Sequence, residues 1–207
     1  MEPRLSRADI IIVAAGHNPS IISPQWLKEN LLIVEAPSHF VHTPDFSVFE
    51  SDSFSLIVDH QRLQIVAKKQ SESSIGSLAT VAGRYVSLLK HIPYKALGLN
   101  LVWSVETNGN ARLPDVMLKL NNIDPTPVFA GHKVGFGGII YAQKESYVLK
   151  LTIERQGEKC LVHNFNYHHE LASVPVDAVV GLVNSFVIRF RDSAAIINAL
   201  YSDKSSN

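Results

Sequence analysis

Residues 146–170 read SYVLKLTIERQGEKCLVHNFNYHHE, and the fold follows from their alternation. Successive side chains of a β-strand point to opposite faces. Tyr147, Leu149, Leu151 and Ile153 therefore share one face, and Val148, Lys150, Thr152 and Glu154 share the other. That is the pattern of a half-buried strand. Arg155 to Glu158 supply a glycine-containing turn, and from Cys160 to His168 the alternation resumes, so the stretch predicts a β-hairpin.

The second strand also carries the densest group of polar and titratable side chains in the chain: His163, Asn164, Asn166, His168, His169 and Glu170. Imidazole is the usual acid, base and metal ligand near neutral pH. Strand geometry divides the group. His163 falls with Leu161, Phe165 and Tyr167 on the apolar face, and Asn164, Asn166 and His168 fall on the opposite one. His168 and His169 are neighbours facing opposite ways and cannot chelate one ion. Neither same-face pair, His168 with Glu170 or His163 with His169, supplies the three protein ligands of a catalytic zinc. No metal site and no cofactor are expected. The candidate ligand-binding residues are His163 and Tyr167 on one face and Asn164, Asn166 and His168 on the other.

Working outward, Asp9 to Ala15 is a short β-branched run that reads as a strand buried on both faces, ended by Gly16 to Pro19. Ser23-Pro24 is an N-cap followed by proline at the first helical position, opening a short helix to Asn30. Leu31 to Val34 reads as a further strand, and Pro37 and Pro44 bracket an irregular stretch carrying His39 and His42. Phe46 to Phe49 is a strand, and two more flank Asp59 to Arg62 as a hairpin. A serine-rich break covers Ser71 to Ser74. Ile75 to His91 then has apolar residues at helical spacing and ends before Pro93.

Lys95 to Glu106 alternates as a long strand with Leu97, Leu99, Leu101, Trp103 and Val105 on its core face. Thr107 to Asn110 reads as a turn, Pro114 to Leu120 as a helical turn or two, and Asn121 to Pro127 as loop. Val134 to Tyr141 is a glycine-containing strand. Val176 to Tyr201 has the spacing of one long helix or of two joined near Phe186 to Arg191. Ser202 to Asn207 reads as a disordered tail.

The expected fold is therefore α+β: a mainly antiparallel sheet of hairpins with two principal helices, about 75–91 and 177–201, packed on it. The expected organisation is a single α+β domain over residues 1–201, with two strand-rich halves at about 1–106 and 127–201. Whether the halves are a duplication is left open, since no residue-level repeat is visible.

The 207 residues are enough to bury a substantial core. Lys plus Arg and Asp plus Glu both number 19, so no net field draws the chain to nucleic acid or to an anionic membrane. Lys68, Lys69, Arg84 and Lys90 form the one mild basic concentration. Hydrophobic residues make up 46%, against 18% charged, which points to a wide core or to a subunit interface. The single cysteine, Cys160, cannot form an internal disulfide and suits a reducing compartment, so a cytoplasmic location is expected. Ile10 to Ala15 follows Arg4 and Arg7 but is too short for a signal peptide, and no apolar run approaches the roughly 20 residues that cross a bilayer.

Other chemistries lack their context. Gly131 and Gly135-Phe136-Gly137-Gly138 are followed by a strand where a phosphate loop requires a helix, and Gly16 stands without a dinucleotide fingerprint. Cys160 alternates with Val162 and reads as an inert thiol, and no serine sits in a nucleophile elbow. Asp45, Glu50 and Asp52 read as turn and solvent residues. Arg189 and Arg191, flanking Phe190, read as a solvated helix face. The leading expectation is a binding or interaction protein that self-associates, or meets another protein, through its sheet. The alternative is a hydrolase-like small-molecule enzyme using His163 with His168 or His169 for acid–base or metal chemistry.

Overall fold

The computed structural model describes residues 3–106, 137–144, 146–157 and 159–201. Its strands are β1 (Pro3–Ala14), β2 (His39–His42), β3 (Phe46–Glu50), β4 (Phe54–Asp59), β5 (Arg62–Ala67), β6 (Tyr94–Glu106), β7 (Gly138–Lys144), β8 (Tyr147–Gln156) and β9 (Cys160–Glu170). The helices are α1 (Pro24–Glu29), α2 (Glu72–Leu88), α3 (Val176–Asn184) and α4 (Phe186–Tyr201). All the strands join one antiparallel sheet in the order β2-β3-β4-β5-β1-β6-β9-β8-β7. The fold is α+β, as the hairpins imply.

The strand order is read most simply from the middle. β1 and β6 pair along almost their whole length, from Pro3 opposite Val105 to Ala14 opposite Tyr94. On one side, β1 is flanked by β5, the last strand before α2; on the other, β6 is flanked by β9, the last strand before α3. The described helices lie on one face. There α2 packs on β5 and β1, α4 on β6 and β1, and α3 on α2. Ile10, Ile12, Leu97, Leu99, Leu101, Phe165 and Tyr167 meet Leu78, Ala82, Tyr85, Val86, Val183 and Phe186 in one continuous core.

Several boundaries differ from the sequence reading for identifiable reasons. Ser71 caps α2 by accepting from the Ser74 N–H at 3.2 Å, so the serine run is the helix start and the helix spans 72–88. Leu31 to Val34 forms no strand: Leu31 has φ 53°, and the Leu32 N–H returns to the Leu27 carbonyl at 2.9 Å. Between Pro37 and Pro44 lies β2, whose four residues pair with β3. β1 begins well before Asp9, with a bulge between Leu5 and Arg7, and its later residues alternate buried and half-buried. The C-terminal segment is two helices broken at Ser185. The features read at 107–110, 114–120, 121–127 and 134–136, and the tail at 202–207, lie outside the described residues. No described helix is long and apolar enough to cross a membrane.

Candidate functional site

The hairpin of β8 and β9 forms in the expected register, with Tyr167 opposite Leu149, Phe165 opposite Leu151 and His163 opposite Ile153. Its two faces hold different chemistry. His163, Tyr167 and His169 point beneath α4, whereas Asn164, Asn166 and His168 point to the opposite face of the sheet.

On the helix side His163 is fully buried. Its Nε2 lies 2.6 Å from the Tyr201 hydroxyl, with the rings edge to face at 5.3 Å. Burial pushes the His163 pKa down to about 4, and hydrogen bonding with the backbone at Trp103 and Leu161 offsets only part of that. The imidazole is thus neutral and held by α4. Four residues along, Tyr167 packs edge to face on Tyr147 at 5.4 Å, and the His169 ring lies 5.7 Å from the same ring. The His169 Nδ1 sits 2.5 Å from the Ser146 carbonyl, which only accepts, so the proton is on Nδ1. Burial also lowers the His169 pKa and raises those of Tyr167 and Tyr201, the last to about 12.

Arg189 completes this cluster. Its side chain is only 15% exposed, and its guanidinium carbon stands 4.5 Å above the Tyr147 ring and 5.8 Å from that of Tyr167. This is a cation–π arrangement. Asp192 accepts from Nη1 at 2.7 Å, and the Tyr147 hydroxyl lies 3.4 Å from the same nitrogen. Lys144 of β7 approaches the Tyr147 ring at 5.9 Å. Arg189 is therefore an inward-facing residue and not part of a solvated helix face. Arg191 is the exposed one and pairs with Glu72.

The opposite face carries a polar row across four strands. Asp9 on β1 is 3% exposed, and its carboxylate accepts from Arg7 Nε at 2.8 Å, Asn100 Nδ2 at 3.0 Å and Gln64 Nε2 at 3.3 Å. The Asn100 Oδ1 in turn accepts from Asn166 Nδ2 at 2.5 Å. A Cβ at Gly98 would stand 3.3 Å from that Asn166 nitrogen, so the glycine gives the amides room. His168 lies beyond the row and pairs with Glu170 at 2.8 Å. Asn164 opposes Val102 and Thr152 and joins none of these contacts.

Of the five candidate residues, then, His163 and Tyr167 share the buried face and Asn166 belongs to the polar row. No centre unites them. Tyr147, Arg189, Asp9 and Asn100 are additions from the structure. Asp9 had a signal, since an acid inside an apolar strand needs buried partners, but Arg189 had none, because its partner ring lies 42 residues away. Among the described residues, no group of three or more His, Cys, Asp or Glu side chains is placed to hold a metal ion.

The two ends of the sheet also differ. β2 is four residues long, carries His39 and His42, and lies between two prolines, which are standard ways of blunting an edge strand. β7 reads GIIYAQK and is exposed on both faces, with Ile139 at 55% and Tyr141 at 67%. No protein-family model matches the chain, and no curated protein matches it.

Proposed function

We propose that the protein is an interaction protein that self-associates by antiparallel pairing of β7 with β7 of a second copy. The observation that carries this is the β7 edge, which ends the sheet and pairs on its outer side with no other described strand. A strand at a sheet edge with exposed apolar side chains on both faces is a template for another strand.

A two-fold axis at Tyr141 sets Ile140 against the partner's Ala142 and Ile139 against the partner's Gln143. Within one chain Ile140 already faces Leu151, and Ala142 faces Leu149. The row Leu151, Ile140, partner's Ala142, partner's Leu149 then runs unbroken across the junction. Lys144 comes opposite the partner's Gly138, where no side chain obstructs it. The zero net charge adds no repulsion between copies. Seven paired residues make a small contact, so a reversible, concentration-dependent dimer is expected.

Hydrogen exchange followed at increasing protein concentration tests this pairing. Protection is expected to rise in β7 and to stay constant in β2. Equal, concentration-independent exchange at both edges would contradict it.

A further inference from the structure

β7 buries none of its seven side chains, so its own packing does little to fix where it sits on β8. In such a strand the register is weakly specified, and a slip of one residue turns every side chain to the other face. Turn chemistry does not compensate. Lys144 pairs with Tyr147, and the sequence between them, Glu145-Ser146, has none of the asparagine, aspartate or glycine that two-residue hairpin connections favour. Yet the pairing is regular from Gly138 opposite Ile153 to Lys144 opposite Tyr147.

The fixture lies at the first residue of β8. Tyr147 is 8% exposed, and three elements close on its ring. Tyr167 and His169 of β9 stand at 5.4 and 5.7 Å, Arg189 of α4 at 4.5 Å, and Lys144, the last residue of β7, at 5.9 Å. Asp192 accepts from Arg189 Nη1 at 2.7 Å and so aims the guanidinium. One residue earlier, the Ser146 carbonyl accepts from the Nδ1–H of His169 at 2.5 Å. His169 is itself buried in β9, so the end of the turn is fastened to the interior of the sheet. With Ser146 and Tyr147 both held, the pairing of Lys144 is set, and the rest of β7 follows it.

We propose that the cluster on Tyr147 is a clamp that sets the register of β7 on β8, with His169 positioning the turn and Arg189 tying it to α4. The consequence rests on the reading of β7 as the self-association edge. The register decides that Ile140 and Ala142, rather than Tyr141 and Gln143, continue the row of Leu151 and Leu149 into a second copy. His169 and Arg189 are thus specificity determinants of an edge on which neither lies.

The test is nuclear magnetic resonance on the full chain in dilute solution, reading β7 amide exchange and the methyl contact between Ile140 and Leu151. His169→Leu removes the donor to Ser146. β7 exchange is expected to quicken about tenfold, the size of one lost hydrogen bond, and the Ile140 contact to weaken, while α2 exchange stays unchanged. His169→Asn, whose amide nitrogen can stand where Nδ1 stands, is expected to restore both. Arg189→Lys keeps the charge but not the planar stacking, and is expected to act in the same direction as His169→Leu. It decides the matter if His169→Leu quickens α2 exchange as well. β7 exchange and the Ile140 contact unmoved by Arg189→Lys and by a folded His169→Leu protein would overturn the clamp, as would a His169→Asn protein as defective as His169→Leu. Light scattering at high concentration separates this from the edge reading. A chain whose β7 responds to the variants but that never associates overturns pairing through β7 and leaves the clamp. A chain that associates while β7 responds to neither variant overturns the clamp alone.

Discussion

Asp9 and Asn100, 91 residues apart, meet across the central strand pair with the Asn100 amide donating to the Asp9 carboxylate at 3.0 Å. They sit directly opposite in the β1–β6 register. The same Asn100 accepts from Asn166, so one side chain links β1, β6 and β9. Sliding β1 past β6 by one residue would turn Asp9 into the helix-side core, which makes this contact a register device as well as a stabilising one.

Asn100→Ala is expected to cost about 2 kcal/mol, because it removes a charge-assisted hydrogen bond to a buried carboxylate and leaves Asn166 without its acceptor. Urea denaturation measures this. A loss under about 0.5 kcal/mol, the range of an ordinary surface substitution, would mean that Asp9 is held adequately by Arg7 and Gln64 alone.

Acid should destabilise the fold through its buried imidazoles. Burial lowers the pKa values of His17, His163 and His169, so the folded chain resists protons that the unfolded chain binds near pH 6.5. Their contribution is complete above pH 6.5 and is lost as pH falls towards 4, the folded value of His163. For His163 alone the loss is on the order of 3 kcal/mol. Denaturation midpoints measured between pH 7 and 4 should fall steeply, and His163→Gln should flatten that slope. An unchanged slope in the variant would show that His163 takes up its proton without unfolding.

Ser71→Ala is expected to lower stability by about 1 kcal/mol, since Ser71 is the side chain that caps α2. Ser77→Ala, six residues along on the exposed side, should change it by less than about 0.5 kcal/mol. Thermal unfolding of the two variants side by side reads the difference. Equal melting temperatures would count against the cap.

The sequence shows the hairpin at 146–170, the long strand after Lys95 and the helix after Ser71 because each buries one face and writes its period in apolar residues. The same period separates His163 and Tyr167 from Asn164, Asn166 and His168. What it does not show is long-range pairing. Arg189 looks like a surface cation because Phe190 beside it supplies the apolar signal, and only the placement of Tyr147 turns it inward. β2 is hidden because four residues between prolines carry too little alternation to register as a strand. Ser71 is hidden for a different reason: a serine that caps a helix and a serine in a loop have the same composition, and only the position of the first helical turn separates them.

The most direct test of self-association is light scattering on the intact chain across a concentration series, alongside I140K and Y141K. Both substituted side chains are exposed in the single chain, so the variants should fold. The unmodified protein is expected to rise towards twice the chain mass as concentration increases, while both variants remain at one chain mass. A chain that stays monomeric throughout, or variants that associate as well as the original, would contradict pairing through β7.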